Sequence, residues 1–569
     1  MSSRSPYLVN KAFRTFAAST ILAVMATTLG VVVNGIIVGN MMGHSELSAV
    51  NLVSPLIQMY NAITALICVG GAVLCAVLVG KGSADHTGKI FTSAMVLLVL
   101  VGAVCLITGL VIPDKISGLL CSDETLLPLV TDYVRIALIG GAAYLFLPGL
   151  AMFVRVDGSP AVATVALITA NIISAGLCAL FVALDMGLTG ASLATVIGFA
   201  AGALILVGYL IKSRATTMFR LSGGGMGYVP QMLMFGAPVA LASVMMVAKM
   251  LCMNSLTLEY LGASGMATMA VAMNIMMLAT MMIGGTCQTV QPVGGTLYGS
   301  GDTEGISYLT RTLAKVLITS LGILVIAVIA VPWLFCNIFG VTETALVESS
   351  TSALRLFAPS ILLYGVNYAI MILFQVLGNR KISLFVSVMQ PLMVMIIAIA
   401  TAGSNHDMIW ASFSIGEAVM LLITGIVSLI MRRRDPSLHG FLLGRMPSVP
   451  TAVFSISGDG KERDTVLEEI SSFLISNNIS KDRTDRALIC CEELVINVCE
   501  HSLHSDPGRF MDIAVRAGEE ASVTVRDDGA LFNPMEFDGE GNGIQIVKGL
   551  CKSMTYSRAL GQNNVRFTF

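Results

Sequence analysis

The chain has 569 residues, only 12% of them charged, and its mean hydropathy of +0.83 excludes a large soluble protein. Its net charge of −2 excludes the basic surface that nucleic-acid binding requires, so nucleic acid is not an expected partner. The acidic residues are unevenly placed, because 19 of the 35 fall between Asp459 and Glu540. This asymmetry predicts a membrane domain in the lipid bilayer followed by a smaller soluble domain.

Apolar segments long enough to cross a bilayer follow one another through most of the chain. A hydrocarbon core of about 30 Å needs about 20 apolar residues per helix. We therefore predict twelve spans, over residues 13–38, 51–80, 91–112, 129–154, 161–183, 188–211, 232–258, 267–296, 309–337, 350–377, 382–402 and 408–431.

The basic residues between these spans predict the orientation. Sixteen Lys and Arg residues fall in one set of alternate loops and termini, whereas the opposite set holds Lys115, Arg135 and Arg355. Short basic loops resist translocation, so we expect a plasma-membrane protein with both termini in the cytosol.

An internal repeat divides the spans into two halves. Three glycines recur 219 residues later, and an arginine, a tyrosine and a glycine recur 220 residues later. The pairs are Gly43 and Gly262, Gly80 and Gly299, Gly82 and Gly301, Arg135 and Arg355, Tyr144 and Tyr364, and Gly158 and Gly378. The repeat predicts two six-helix lobes, residues 10–222 and 223–434, that move about a shared cavity.

Three stretches, Val33–Gly39, Gly190–Thr195 and Gln288–Gly295, resemble signatures of the multidrug and toxin extrusion (MATE) family. The resemblance implies export of small, often cationic or amphipathic, xenobiotic molecules by antiport against Na⁺ or H⁺. The transport residues that it implies are Asn34, Asn171, Thr195, Gln288 and Gln291.

Two positions depart from this family. Asn34 stands where relatives usually place an aspartate, and Ala175 stands at a second acidic position. Neutral dipoles alone bind a bare cation poorly, so the coupling ion stays open. Lys249 and Glu417 are the ionisable groups deep in the spans, and our hypothesis is that they form a proton-sensitive or substrate-recruiting pair. A structural salt bridge is the alternative.

Beyond a Gly- and Pro-rich linker at 435–450, residues 451–569 predict a soluble α/β sandwich. The predicted strands are 452–457, 510–517, 521–527 and 565–569, and the predicted helices are 461–476, 481–502 and 544–551.

Polar residues on the second of these helices indicate a ligand site. Glu493, Asn497 and His501 recur at four-residue steps and so share one helix face. Asp527-Asp528-Gly529 and the run Gly539-Glu540-Gly541-Asn542-Gly543 follow. In this order the three motifs resemble the boxes of GHKL ATPases, which share the fold of histidine kinases, and are closest to the serine kinases that act as bacterial anti-sigma factors.

The second resemblance implies a site for ATP with Mg²⁺. Asn497 would hold the Mg²⁺, Glu493 would act as the catalytic base, and Asp527 would accept from the adenine amino group. The remaining residues that would bind the nucleotide are His501, Gly529, Gly539, Gly541, Gly543 and Thr568.

Two functions remain open from the sequence. The first is a secondary antiporter modulated by its ATP domain. The second is a transporter-like receptor that controls a cytosolic serine kinase with a serine-containing protein partner. Whether the soluble domain is a serine/threonine kinase or an ATPase also stays open. A direct ATP-driven pump is disfavoured, because a single ATP site lacks the paired arrangement that would drive two opposed strokes.

Overall fold

A computed structural model describes residues 4–121, 123–212, 218–435, 438–439, 441–442, 444–445, 449–531, 533–535 and 542–569. Up to Arg434, the described part consists of helices, and a five-stranded sheet with three helices follows. The multi-pass helical class and the α/β class predicted for the two regions are confirmed.

The first lobe contains ten α-helices, several of which share one span. Their bounds are α1 Tyr7–Met41, α2 His44–Leu52, α3 Ser54–Thr64, α4 Gly70–Gly80, α5 Thr87–Val111, α6 Pro113–Leu120, α7 Leu127–Ile139, α8 Gly141–Val156, α9 Pro160–Ala183 and α10 Gly187–Lys212. A π-helical segment, Ala65–Val69, joins α3 to α4.

The described part of the second lobe also consists of helices. Its helices are α11 Val229–Ser300, α12 Thr303–Ala330, α13 Pro332–Ile338, α14 Thr344–Phe357, α15 Pro359–Val376, α16 Arg380–Thr401 and α17 Met408–Arg434. Helix α11 is interrupted at Gly262, where the backbone leaves the helical region with φ 61° and ψ −153°.

The number of spans follows from helix length. Ten helical segments in the described part are long and apolar enough to cross a membrane, or eleven when α7 and α8, bent by 52°, count as one span. One segment, Met226–Ser300, has 75 residues. A continuous helix of that size would be about 110 Å long, far more than a hydrocarbon core of about 30 Å. Its break at Gly262 makes it two spans, and the total becomes twelve.

The repeat seen in the sequence is also a repeat of backbone conformation. Gly82 and Gly301 have φ of 78° and 75°, and Gly158 and Gly378 have φ of 92° and 78°. These values lie in the left-handed region that glycine adopts without a steric penalty. Each lobe therefore turns the chain at equivalent positions.

The two lobes contact each other closely through glycines related by this repeat. A Cβ atom on Gly80 of α4 would overlap the carbonyl oxygen of Thr296, and a Cβ atom on Gly299 of α11 would overlap that of Val77. Val77 and Thr296 are themselves 219 residues apart, so the contact is reciprocal. Only glycine permits this approach, and it closes the bundle at the end where α4 and α11 finish.

The soluble domain is an antiparallel sheet covered by helices on one face. Its elements are β1 Leu438–His439, β2 Gly444–Arg445, β3 Thr451–Ser457, α18 Arg463–Ser476, α19 Lys481–Asn497, β4 Phe510–Arg516, β5 Ser522–Asp527, α20 Asn542–Leu550, β6 Ser553–Ala559 and β7 Gln562–Thr568. Strands β1 and β2 pair with each other, and the main sheet has the order β3-β4-β5-β7-β6. Strand β6 was not predicted from the sequence.

Alternation along the strands separates two faces of this sheet. Ile513, Val525 and Phe567 belong to the apolar core that includes residues of the three helices. The adjacent residues Asp512 and Arg526 are also buried, on the opposite face. That face carries charged and polar side chains and lies against the helical bundle.

Candidate functional site

The phosphate side of the predicted nucleotide site is formed by α19 and the start of α20. Glu493 and Asn497 lie one turn apart on α19. A Cβ atom on Gly543 would lie 3.4 Å from Asn497 Nδ2 and would overlap the Glu493 carboxylate. Because Gly543 lacks that atom, the backbone at the start of α20 reaches the carboxylate and amide that the sequence assigned to catalysis and Mg²⁺.

Asp527, the residue predicted to bind adenine, lies at the end of β5. Its Oδ1 atom accepts hydrogen bonds from Ser502 Oγ, from the Gly529 backbone N–H at 2.8 Å and from Asn563 Nδ2 at 3.1 Å. The bonds that this carboxylate receives from described residues all reach Oδ1, so Oδ2 is left as an acceptor for a ligand. A carboxylate fixed in this way suits the exocyclic amino group of adenine.

Asn563 was not among the predicted site residues, although it holds Asp527. It also donates to the Ala530 carbonyl oxygen at 2.8 Å, and so joins β7 to the loop after β5. Strand pairing places Asn563 opposite Asp527, whereas Thr568 pairs with Ser522 at the other end of β5. Asn563 could have been identified by pairing the final strand, β7, antiparallel to β5, because this pairing puts Asn563 opposite Asp527.

Of the other predicted residues, His501 does not share the helix face of Glu493 and Asn497. His501 is exposed and lies in a π-helical turn, Val498–Ser502, so it does not continue the α-helical repeat shared by Glu493 and Asn497. Gly539 and Gly541 lie outside the described residues.

The soluble domain contacts the first span through Asp528, the neighbour of Asp527. Asp528 Oδ2 accepts hydrogen bonds from Tyr7 Oη at 3.0 Å and from Lys11 Nζ, both at the start of α1. Its Oδ1 atom accepts from Arg509 Nη2 at 2.6 Å within the soluble domain. Burial alone would raise the pKa of Asp528, but the bonds from Lys11 and Arg509 outweigh it and hold that pKa below its ordinary value.

A buried group of four charges joins both lobes to the same sheet. Arg4 precedes α1, Asp302 lies between α11 and α12, and Asp512 and Arg526 lie on β4 and β5. Arg4 forms an ion pair with Asp302, its Nη2 lies 3.5 Å from Asp512 Oδ2, and Arg526 Nη1 lies 4.0 Å from Asp302 Oδ2. Burial raises the pKa of Asp512, and the nearby Arg4 only partly offsets this effect.

Further contacts join the soluble domain to the first lobe, and together with the four charges they form a docking surface. Arg566 of β7 donates to the Lys81 carbonyl oxygen, and Gln562 Nε2 donates to the Leu8 carbonyl oxygen at 3.3 Å. A Cβ atom on Gly158 would lie 2.6 Å from the Gly561 nitrogen. The open face of the sheet therefore spans the end of the bundle at which the two lobes meet.

The polar residues predicted in the first lobe lie together between α1, α9 and α10. Asn34 Nδ2 donates to Ser174 Oγ at 3.0 Å, and Ser174 Oγ donates to Thr195 Oγ1 at 3.4 Å. Asn171 packs its amide oxygen against Gly30 of α1. Ser174 was missed from the sequence, where a single serine in an apolar helix gives no distinct signal. The group contains amides and hydroxyls but no carboxylate.

The second lobe buries a carboxylate. Glu417 Oε2 accepts from Asn367 Nδ2 at 2.8 Å and from Gln390 Nε2 at 2.9 Å. Lys249 is also buried, with its Nζ atom 5.3 Å from the ring centre of Tyr364 and 5.9 Å from that of Phe413. Lys249 and Glu417 thus lie in one lobe, as predicted, but the described structure records no ion pair within 4 Å between them.

Gln288 and Gln291 lie one turn apart on α11 at the boundary between the lobes. Gln288 Oε1 accepts from Arg155 Nη1 of the first lobe at 2.8 Å. Gln291 Nε2 donates to Gln375 Oε1 of the second lobe at 3.2 Å. The two predicted glutamines therefore bond to opposite lobes.

Family models match both parts of the chain. The MatE model matches residues 19–180 and 238–400, which together are more than half of the chain. The model of the histidine kinase-like ATPase domain matches residues 460–569. Each match falls on one of the two structural regions described above.

Curated relatives and solved structures agree with these matches. The multidrug export protein MepA of Staphylococcus aureus is 22% identical over 437 residues, which cover 75% of this chain and 95% of MepA. A transporter of the MOP superfamily from Pyrococcus furiosus, whose structure is described as having a binding pocket of reverse polarity, is 21% identical with a TM-score of 0.69 and covers 76% of this chain and 97% of its own. A Vibrio cholerae MATE transporter is 15% identical with a TM-score of 0.69, over 75% of this chain and 98% of its own.

Proposed function

Because the chain belongs to the MatE family of membrane transporters and carries a histidine kinase-like ATPase domain, we propose that it is an antiporter regulated by ATP. It exports small organic molecules, including cationic and amphipathic ones, across the plasma membrane. Antiport against H⁺ or Na⁺ drives the export, and ATP bound to the C-terminal domain sets its rate. The curated relatives named multidrug export proteins support the substrate class.

The observation that carries the regulatory part is the position of Asp528. Asp527 is the residue that we propose accepts from the adenine amino group, and the next residue is bonded to Tyr7 and Lys11 at the start of α1. The same helix carries Asn34 in the polar group of the first lobe. A shift of the loop after β5 on nucleotide binding would therefore act directly on a transport helix.

The residues of the soluble domain fit ATP with Mg²⁺. When bound, ATP would supply a phosphate group that Mg²⁺ neutralises, and Asn497 would hold that ion beside Glu493. Because Gly543 has no side chain, the start of α20 lies close to Glu493 and Asn497, and the backbone N–H groups at a helix start favour the negative charge of phosphates. This placement requires the domain to face the cytosol, as the distribution of basic residues predicts.

Glu417 supports proton coupling in the second lobe. The carboxylate is buried in a span, and two amide groups donate to it. Asn34 and its neighbours offer no carboxylate to a cation, so the second lobe is the better place for the coupling ion. Lys249, held against two aromatic rings in the same lobe, supplies the opposite charge.

The deciding experiment measures export with and without a working nucleotide site. Purified wild type and Asn497→Ala are reconstituted in proteoliposomes, and ethidium transport is followed under an imposed proton or sodium gradient, with and without Mg-ATP. We expect gradient-driven transport by both proteins and a response to ATP only in the wild type. If the transport rate of the wild type is the same with and without Mg-ATP, regulation by ATP is refuted. If neither protein transports ethidium under either gradient, the proposal of an antiporter is refuted.

A second candidate, a receptor that controls a serine kinase, is supported by the absence of a carboxylate around Asn34 in the described first lobe. The same proteins are incubated with γ-labelled ATP and a cytosolic extract. Labelled serine in another protein, dependent on Asn497, together with no gradient-driven transport, would favour this candidate.

A further inference from the structure

Arg155, in the last turn of α8, is a buried cation that pairs with no acidic side chain among the described residues. Its side chain is 4% exposed, Nη1 donates to Gln288 Oε1 at 2.8 Å and lies 3.6 Å from Met152 Sδ. The Nε donor has no hydrogen-bond partner in the part of the chain that the structure describes. No carboxylate of a described residue forms an ion pair with Arg155 within 4 Å, although removing a guanidinium from water costs several kcal/mol.

The repeat shows that the fold does not need a charge at this position. The residue 220 positions later is Gln375, at the end of α15. Its Nε2 donates to the Phe235 carbonyl oxygen at 2.5 Å, and its Oε1 accepts from Gln291. In the second lobe a neutral amide thus has a bonding partner for its nitrogen and for its oxygen, whereas in the first lobe a cation keeps a donor with no partner among the described residues.

Gln288 adds a further donor beside this cation. Gln288 Oε1 accepts a hydrogen bond from Arg155, and its Nε2 donates to no described residue. Gln288 is only partly buried, unlike Gln291, which is 5% exposed. The Arg155 guanidinium of the first lobe and the Gln288 amide of the second lobe thus lie side by side, joined by this hydrogen bond.

We propose that Arg155 and Gln288 bind an anionic group, a carboxylate or a phosphate, of transported molecules. The inference rests on the proposed transport function and extends its substrates to anionic and zwitterionic compounds. A guanidinium pairs with the two oxygens of such a group through parallel N–H bonds, and the Gln288 amide supplies a third. Because the two residues belong to different lobes, separation of the lobes opens the site and their approach closes it.

The test compares two ligands that share a ring system and differ in charge. Binding of 2-naphthoate and of 2-naphthylmethylamine to the full-length protein in nanodiscs is measured by calorimetry. The variants are Arg155→Gln, which copies the residue of the second lobe, Arg155→Lys, and Arg14→Gln as a control at an exposed arginine of α1.

We expect Arg155→Gln to weaken 2-naphthoate binding by about tenfold or more, the loss of a charge-assisted hydrogen-bond pair, and to leave the amine unaffected. Arg155→Lys should retain part of the affinity, and Arg14→Gln all of it. No binding of 2-naphthoate by the wild type, or equal loss of both ligands in Arg155→Gln, would overturn the inference.

Ethidium transport separates this inference from the proposed function. If the wild type transports ethidium but 2-naphthoate binding does not depend on Arg155, the anion site is refuted and the exporter stands. If 2-naphthoate binding depends on Arg155 but no compound is transported, the site stands and the exporter is refuted.

Discussion

Arg4 and Asp302 form an ion pair from which solvent is excluded on both sides, although 298 positions separate them in the chain. Arg4 precedes the first span, and Asp302 lies in the second lobe. Asp512 and Arg526 of the soluble domain complete the group. Since each lobe contributes one member and the sheet contributes two, the docked domain favours the arrangement in which the lobe ends are together.

Asp302→Asn should weaken docking without disturbing α12. The Asp302 side chain also accepts a hydrogen bond from the Gly305 backbone N–H at 2.7 Å, and asparagine can preserve that cap. After the substitution only the Asp512 carboxylate remains to pair with Arg4 and Arg526. Breaking a buried ion pair in this way costs about 3–5 kcal/mol of stability. Hydrogen exchange of residues 4–12 and of β4 should become faster.

Asp114→Asn provides the matched control for that substitution. Asp114 pairs with Arg135 at 3.9 Å, and its side chain is 79% exposed. Exposed ion pairs contribute little to stability, so the hydrogen exchange of residues 4–12 and of β4 should not change in Asp114→Asn. Unchanged protection of residues 4–12 in Asp302→Asn would show that the ion pair does not hold the domain.

Lys11→Ala should separate nucleotide binding from its effect on transport. Lys11 bonds Asp528 across the domain boundary, whereas Arg509 holds the same carboxylate from within the soluble domain. We expect the ATP affinity to change less than threefold and the response of ethidium transport to ATP to fall. Arg14→Ala, an exposed arginine one turn further along α1, should keep the full response. An unaltered response in Lys11→Ala would exclude this route.

The sequence predicted the architecture well because its signals can be read along the chain. Apolar length predicted the spans from nearby residues alone, and matching residues 219 or 220 positions apart predicted the repeat without any knowledge of three-dimensional contacts. The positive φ angles at Gly82 and Gly301 explain why those residues recur. Asn34, Asn171 and Thr195 were also predicted together from the family resemblance. In the structure Asn34 and Thr195 both bond to Ser174, and Asn171 packs against Gly30 of α1.

Long-range charge pairing could not be predicted in the same way. Arg4 and Asp302 are 298 positions apart, and nothing in the sequence indicates that they meet. The contact between Asp528 and Lys11 depends on which face of the sheet the helices leave uncovered. The sequence does not show which face that is, because it is decided by the packing of the helices on the sheet. Asn563 was missed because strand register, not motif order, brings it to Asp527.

Asn563→Ala should weaken ATP binding. The side chain donates to Asp527 Oδ1 and to the Ala530 carbonyl oxygen, so its removal frees the acceptor carboxylate to rotate. Hydrogen bonds to charged groups contribute about 1.5–3 kcal/mol, which corresponds to at least a tenfold rise in Kd. Asn564→Ala, on the opposite face of β7, should leave the affinity of a fluorescent ATP analogue unchanged. Equal affinities in the two variants would contradict the assignment.

Gly299→Ala should push the lobe ends apart. The new methyl group would overlap the Val77 carbonyl oxygen, and overpacking of this kind costs about 1–3 kcal/mol. Distances between spin labels on the two lobes should therefore shift toward longer values at the docked end. The control is Gly322→Ala on α12, where a Cβ atom would meet no neighbour within 4 Å. An unchanged distance distribution in Gly299→Ala would mean that the glycine contact does not limit lobe closure.

Glu417→Gln tests proton coupling in the second lobe. Asn367 and Gln390 both donate to the Glu417 carboxylate, and a neutral glutamine can accept their bonds but cannot exchange a proton. Ethidium transport driven by a proton gradient should fall at least tenfold and lose its dependence on pH, while ethidium binding persists. Glu348→Gln, at an exposed glutamate of α14 in the same lobe, should transport normally. Transport by Glu417→Gln at the wild-type rate and with the wild-type pH profile would remove Glu417 from the coupling step, and Lys249 would then be left as a cation held by Tyr364 and Phe413 for packing alone.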